Sequence, residues 1–315
     1  MKDITSKRTT LRTAKACAFL LVKPETMEKI KANAVPKGNI FEIAKAAGFL
    51  GAKKTPDLIP HCHSISIDSL QINYQLLHKP EKEDFPAGDY EFAIYIEAEG
   101  KSIGRTGIEM EVLTCVSVTA LVLYDLLKPL NQNMEISGIR LLEKKGGKSD
   151  PKFKAKPGMD ACILVCSDST SEGKREDSSG KIIREMLEKE SIVIKDYKIV
   201  PDNVESIQNQ IRDWIKENPT YIITTGGTGL SHRDLTIEAV RPLLDKEIPG
   251  IAEVMREYGV ERTPWAMLSR SIAGSIGKTL VVTLPGSSNG AKESMEAIIP
   301  GIFHARKMLK GGGHS

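Results

Sequence analysis

Long apolar runs are scarce in this chain of 315 residues, and no stretch reads as the roughly 20 apolar residues that a membrane helix needs. The opening residues, MKDITSKRTTLRTAKA, lack an apolar h-region, so no signal peptide is expected. Excess charge of one sign is missing as well. There are 44 Lys and Arg against 41 Asp and Glu, leaving a formal charge of +3. That balance does not point to nucleic acid, and no basic stripe interleaved with aromatics appears. A modestly basic enzyme acting on anionic small molecules fits it as well. Cysteine is sparse: Cys17, Cys62, Cys115, Cys162 and Cys166 are odd in number, lie mostly in apolar runs and form no CxxC. Reduced core thiols in a cytoplasmic protein are the expectation.

What remains is an ordinary globular composition, 40% hydrophobic and 27% charged, over a length that suggests two domains. The stretch Lys144 to Met159 (KKGGKSDPKFKAKPGM) has almost no core-forming residues and is rich in Lys, Gly and Pro. It predicts a boundary, with domains at 1–148 and 159–315 and a linker at 149–158. The halves show no internal repeat.

In the first half, Ala14 to Val22 reads as a strand after a polar start at 1–13. Pro24 opens a helix through Met27 and Ile30, Lys37-Gly38-Asn39 makes a turn, and Ile40 to Leu50 carries helical spacing. Ser64 to Leu77 and Tyr90 to Ile96 alternate as antiparallel strands, a helix runs from about Ile108 to Leu127 before Pro129, and Ile136 to Leu142 is a last strand. This order predicts an α+β sandwich with helices on one face of an antiparallel sheet.

The second half alternates differently. Its expected strands are Ala161 to Cys166, Tyr197 to Val200, Tyr221 to Thr225 and Thr279 to Leu284. The expected helices include Ser179 to Lys189, Val204 to Lys216 and Leu235 to Leu244. The pattern predicts an α/β three-layer fold with a mostly parallel sheet. Its centre is Tyr221 to Asp234: a buried strand, then Gly226, Gly227 and Gly229, then His232, Arg233 and Asp234. Glycines there let backbone N–H groups approach an anion at the carboxyl edge of the sheet. Three more loops fall at strand ends: Ser167-Asp168, Pro201-Asp202 and Pro285-Gly286-Ser287-Ser288. Asp202 and Asp234 beside glycine loops suit a Mg²⁺–phosphate site.

Two motifs are decoys. Gly274 to Thr279 (GSIGKT) resembles the end of a phosphate loop, but a strand follows where the phosphate cradle needs a helix. His61-Cys62-His63 are consecutive and cannot easily all face one ion, and no second Cys/His cluster completes a zinc site.

In the first half, Lys37, Lys53, His63, Glu109, Glu111, Asp125, Lys128 and Lys144 sit at turns or element ends. Asp125 and Lys128, three apart, share a helix face and taken alone read as a surface ion pair. The segments KGNIFEIAKAAGFLGAKKTPDLIPHCHS, GRTGIEMEVLTCVSVTALVLYDLLK and IRLLEKKGGKS closely resemble the cyclic pyranopterin monophosphate synthase family (MoaC), over nearly all of residues 1–150. The resemblance implies a ferredoxin-like fold, sites at subunit interfaces of a hexamer, and conversion of (8S)-3',8-cyclo-7,8-dihydro-GTP to cyclic pyranopterin monophosphate and pyrophosphate. Position by position, it implies acid/base roles for Lys37, Asp125 and Lys128, and substrate contacts from Lys53, His63, Glu109, Met110, Glu111 and Lys144. Lysines suit a triphosphate substrate and its leaving pyrophosphate, and a desolvated lysine beside a carboxylate is expected to have a lowered pKa. Two positions depart from the family pattern: Asn39 stands where Asp is usual, and Ser64 where Pro is usual. No cofactor is implied for this half.

Residues 160–310 resemble the MogA/MoaB molybdopterin-binding family, on VCSDSTSEG, VPD, TTGGTGLSHRD and VTLPGSSNG. The resemblance implies activation of molybdopterin with Mg-ATP. It makes Asp202 and Asp234 catalytic and magnesium-binding, and assigns Ser167, Asp168, Gly226, Gly227, Thr228, Gly229, Pro285, Gly286 and Ser287 to substrate. The expectation is a bifunctional cytoplasmic enzyme of molybdenum-cofactor synthesis, a homo-trimer or hexamer handling small molecules and neither nucleic acid nor membrane. The alternative for the second half is a non-catalytic pterin-binding and oligomerisation module.

Overall fold

The structure is a computed structural model, describing residues 1–86, 88–147 and 154–311. The chain divides into two compact units, Met1–Asp150 and Pro151–Ser315. Part of the expected linker, 149–153, lies outside the described residues.

The first unit runs β1 (Thr10–Val22), α1 (Pro24–Lys31), α2 (Ile40–Lys53), α3 (Thr55–Leu58), β2 (Ser69–His78), β3 (Phe92–Gly104), α4 (Glu109–Leu127) and β4 (Glu135–Lys145). Its four strands form an antiparallel sheet in the order β2-β3-β1-β4, the ferredoxin-like arrangement. The pleat of β1 explains the layering. Ala14, Ala16, Ala18, Leu20 and Val22 face the helices, while Cys17, Phe19 and Leu21 face the opposite side. Small residues set the helix spacing. A Cβ at Gly100 would lie 2.7 Å from the Val112 side chain, and one at Gly51 2.7 Å from Val118, so α4 sits close on both β3 and α2. On the other face Phe19 and Tyr95 stack at 5.0 Å beneath Phe85 and Tyr90, with the Lys82 ammonium 3.2 Å from the Tyr95 ring centroid.

Contrary to the expectation about apolar runs, α4 is long and apolar enough, by length and composition, to cross a membrane. It packs instead as the spine of this unit, burying Val112, Cys115, Val116, Ala120, Leu123 and Leu127 against the sheet. Strand ends also differ from the sequence pattern. β1 begins four residues early, with Thr10 paired to Gly104 and its hydroxyl donating to the Gly146 carbonyl at 2.9 Å. β3 continues through GKSIG because its inward residues there, Ala98, Gly100 and Ser102, are too small to register as apolar. β2 starts at Ser69 rather than Ser64.

The second unit opens with β5 (Asp160–Cys166), α5 (Asp168–Ser171), α6 (Ser179–Lys189), β6 (Val193–Val200), α7 (Val204–Ile215) and β7 (Tyr221–Thr225). It closes with α8 (Thr236–Val240), β8 (Lys246–Glu247), α9 (Pro249–Val260), β9 (Ala273–Ile276), β10 (Thr279–Leu284), α10 (Ser288–Ile298) and α11 (Ala305–Leu309). The sheet order is β6-β5-β7-β10-β9-β8, parallel through the first four strands and antiparallel in the last two. Alternate strand residues feed two cores, giving three layers. Ala161, Ile163, Tyr221, Ile223, Leu280 and Val282 pack on α6, α9 and α10, whereas Cys162, Leu164, Ile222 and Val281 pack on α7 and α8. The chain goes from β5 to β6 on one side and then to β7 on the other. The crevice between the ends of β5 and β7 is therefore the switch point where such folds place ligands.

GSIGKT proves to be the β9–β10 hairpin, since Ile276 pairs with Thr279 across Gly277-Lys278. The helix expected over Leu235 to Leu244 stops at Val240 and tightens into a 3₁₀ turn at Arg241–Leu243. Pro242 lacks the N–H that an α-helix would need there. β6 starts at Val193, ahead of the expected Tyr197.

Candidate functional site

In the first unit the candidate residues fall into two groups. One lies at the carboxyl end of α4. The Lys128 ammonium is 2.6 Å from one Asp125 carboxylate oxygen, and Lys37 lies 3.4 Å from the other while donating to the Asp125 carbonyl at 3.1 Å. Asn39 caps α2 by accepting from the Glu42 N–H at 3.3 Å, so the departure at this position keeps the turn and the cap that place Lys37. The two lysines hold the Asp125 carboxyl below its ordinary value, and Asp125 raises Lys128. The expectation of a desolvated Lys128 with a lowered pKa is therefore corrected. The side chain is half exposed, and its carboxylate partner outweighs burial.

The second group gathers at the amino end of α4. Lys144 on β4 lies 3.3 Å from Glu109. Glu111 is 3% exposed, and burial, with Glu109 adding to it, raises its carboxyl above the ordinary value. Met110 between them is partly exposed. Lys53 ends α2, and His63 follows α3 beside Cys62, a thiol that burial and then Glu111 push up. The two groups do not meet within one chain. Sixteen residues of helix separate Glu109 from Asp125, about 24 Å at 1.5 Å per residue. Large apolar side chains are exposed on the helices, among them Leu50, Leu58 and Leu121, each about 60% accessible.

In the second unit the candidates converge. Parallel strands β5, β6, β7 and β10 end on one edge, and the loops there are bonded to each other. The Ser167 N–H donates to the Val200 carbonyl at 3.0 Å, and the Asp202 N–H to the Asp168 carboxylate at 2.9 Å. The Gly226 N–H donates to the Leu284 carbonyl at 3.2 Å, and the Thr225 hydroxyl to the Pro285 carbonyl at 2.8 Å. Glycine is needed at two of these positions. Gly226 has φ +100°, and a Cβ would overlap the Cys166 carbonyl oxygen. Gly227 has φ +60°, and its Cβ would sit 2.6 Å from both Asp202 carboxylate oxygens. Gly286 packs on Gly226 somewhat less tightly, with 3.0 Å from its would-be Cβ to the Gly226 Cα. Thr228 is buried beneath the loop. Ser167 and Ser287 cap α5 and α10, accepting from the Thr170 N–H at 3.3 Å and the Gly290 N–H at 3.1 Å.

Asp168, Asp202 and Asp234 thus share one corner. Asp202 accepts from the Leu235 N–H at 3.3 Å, and Asp234 from the Ser231 N–H at 2.8 Å. Burial first, then the charges of Asp234 and Asp168, push the Asp202 carboxyl up to about 6 despite the Leu235 bond. Among the described residues no Lys or Arg side chain pairs with any of the three. No group of three His, Cys, Asp or Glu among the described residues has the arrangement to hold a metal unaided. Clustered carboxylates that no Lys or Arg side chain meets in an ion pair, with the Thr236 hydroxyl beside Asp202, fit a hard divalent ion that completes its shell with phosphate oxygens.

A cavity of about 480 Å³ opens beside Pro285 and Ser287 and is also lined by Arg256, Arg262, Trp265, Ser269 and Ser271. The sequence pattern did not mark these residues. It also missed Asp177, buried at the start of α6, which accepts from the Gly180 N–H at 3.0 Å and from the Tyr197 hydroxyl. None of them follows the carboxyl end of a strand, where the other candidates of this unit begin.

Residues 1–147 match the model of the MoaC family, and residues 162–304 match that of the probable molybdopterin binding domain. A molybdenum cofactor biosynthesis bifunctional protein of Chlorobaculum tepidum is 40% identical over 315 residues, covering all of this chain and 96% of the relative. A cyclic pyranopterin monophosphate synthase of Syntrophomonas wolfei is 43% identical over 149 residues, 47% of this chain and 88% of that protein. The crystal structure of the molybdopterin biosynthesis enzyme MoaB from Thermus thermophilus has 43% sequence identity and a TM-score of 0.47, covering 50% of this chain and 99% of that one. The chain belongs to the family of bifunctional molybdenum cofactor biosynthesis proteins, and its function is molybdenum cofactor biosynthesis.

Proposed function

We propose that residues 1–148 and 159–315 are two catalytic domains of cytoplasmic molybdenum cofactor synthesis, connected through 149–158. The second domain transfers the adenylyl group of ATP to the phosphate of molybdopterin and releases pyrophosphate. The observation that carries this reading is the convergence of two glycine loops and the Asp202–Asp234 pair at one switch point. Backbone N–H groups of Gly227 to Gly229 donate to closely approaching phosphate oxygens, and the adjoining cavity takes the pterin. Asp202 and Asp234 would hold magnesium, which would supply positive charge against the phosphate oxygens. Pyrophosphate release by the full-length protein with molybdopterin and Mg-ATP tests this. Release that requires the pterin and vanishes in Asp234→Asn supports transfer. Bound pterin with no release would make this half a binding and assembly module.

The first domain converts (8S)-3',8-cyclo-7,8-dihydro-GTP to cyclic pyranopterin monophosphate and pyrophosphate. Lys37, Asp125 and Lys128 move protons, while Lys53, His63 and Lys144 hold the phosphates. Glu111, raised by burial, keeps a carboxyl proton to higher pH than a free glutamate. The separation of the two groups along α4 supports a site completed by a second copy. That copy's lysine–carboxylate group then faces this chain's Glu109–Lys144 group, and the exposed leucines of the helices are covered in the contact. The active protein is then a homo-oligomer, a trimer or hexamer.

A further inference from the structure

The glycine loop and Asp234 are held by a residue from outside the loop. Arg270, between the 3₁₀ turn at Pro264–Leu268 and β9, donates through Nε to the Gly229 carbonyl at 2.7 Å and through an Nη to the Asp234 carbonyl at 2.8 Å. Its own backbone N–H donates to the Thr228 carbonyl at 3.0 Å. The rest of the guanidinium fork reaches Glu238 on α8, at 2.6 and 3.3 Å. Gly229 and Asp234 are the two ends of an excursion whose tip is exposed, Leu230 being 70% accessible. One planar group therefore ties both ends to each other and to a helix, a geometry that a single ammonium cannot copy. The Asp234 carboxylate in turn bonds within the same excursion, to the Ser231 N–H, so its position follows the loop.

We propose that Arg270 is the positioning residue of the nucleotide-transfer site, fixing the Gly229–Asp234 loop so that Asp234 stays opposite Asp202. The proposal rests on the reading that this domain transfers an adenylyl group. The Arg270–Glu238 ion pair is incidental to it, because a half-exposed pair contributes little by itself. The bonds to the loop carbonyls carry the effect.

The test compares Arg270→Ala, Arg270→Lys and Glu238→Gln in the full-length protein, following pyrophosphate release with molybdopterin and Mg-ATP alongside amide hydrogen exchange. Arg270→Ala should lower kcat about 100-fold with KM for ATP changed less than about threefold, as misplacing a catalytic carboxylate does. Arg270→Lys should stay at least about tenfold down, whereas Glu238→Gln, which keeps the carbonyl bonds, should lie within about twofold of the unaltered protein. Amides of residues 229–235 should lose protection in Arg270→Ala while those of β7 and β10 keep theirs. The proposal is overturned if Glu238→Gln is as damaging as Arg270→Ala, if Arg270→Lys restores full turnover, or if neither kcat nor exchange changes. Should the unaltered protein release no pyrophosphate, the transfer reading falls. Loop exchange in the two Arg270 variants then decides the clamp alone, and unchanged protection overturns it. If Arg270→Ala does not fold, Arg270→Lys against Glu238→Gln makes the same comparison.

Discussion

The two units place chemistry in opposite ways. In the second, four parallel strands end on one edge, so loops from distant parts of the sequence meet within one chain. In the first, an antiparallel sheet carries its helices on one face, and the titratable residues collect at both ends of a single long helix. A parallel sheet gathers its functional loops by topology alone. An antiparallel α+β unit offers no such edge, and residues about 24 Å apart along one helix do not meet within a chain.

The sharpest way to break this contrast is to show that one unit's chemistry depends on the other's. Asp234→Asn should lower pterin-dependent pyrophosphate release by a factor of about 10²–10³, a range typical of removing one charged group from a preorganised site. Synthase turnover in the same protein should be unchanged. Lys128→Ala should lower synthase turnover by about 10²–10⁴, the span of general acid–base catalysis, and leave pterin-dependent pyrophosphate release at full rate. Its melting temperature should not move, because the Lys128–Asp125 pair is exposed. A large drop in melting temperature would make the pair structural.

Backbone substitutions sharpen the same comparison at smaller scale. Gly226→Ala meets a carbonyl at φ +100° and should destabilise the second unit by about 2–4 kcal/mol in denaturant titration, from strain and overpacking together. Gly38→Ala, at φ +78° with no atom nearby, should cost the first unit only about 1 kcal/mol. Equal effects would mean that the crevice between β5 and β7 is not close-packed. The smallest effect concerns pH. The Asp202 carboxyl is raised to about 6 from an ordinary 3.8, so the fold favours its protonated form. That contribution to stability is full below about 3.8 and is lost as pH rises through about 6. Magnesium affinity should run the other way, weakening as pH falls through about 6. Asp234→Asn should move that midpoint down, since Asp234 contributes to the upward shift. An unmoved midpoint would leave burial and the charge of Asp168 as the causes.

Much of the second candidate site was legible because most of its loops begin where a strand stops. Tyr221–Thr225 and Thr279–Leu284 match their sequence pattern residue for residue, and Asp202, Gly226 and Pro285 follow from where strands stop. Arg270 was not legible, because it acts on backbone carbonyls 41 and 36 residues away in sequence, and Asp177 was not, because its bond to the Tyr197 hydroxyl spans 20 residues. In the first unit the residue types and their resemblance could be read, but the gap between Lys128 and Lys144 could not. Spacing along a helix tells which face a residue shares, and says nothing of which chain completes a site. The surface ion pair read from the Asp125–Lys128 spacing is what the structure shows, whereas the lowered lysine pKa expected from the chemistry fails because the last turn of α4 stands in the open.

Mixing two inactive variants tests the central contrast most directly. Lys128→Ala and Lys144→Ala each remove one of the two groups on α4 and β4. If a second copy completes the synthase site, subunit exchange between them should restore turnover to about a quarter of the unaltered protein, one intact site in half of the pairs formed. If turnover stays at the level of the separate variants after complete exchange, both groups act within one chain, and the account of the first unit is wrong.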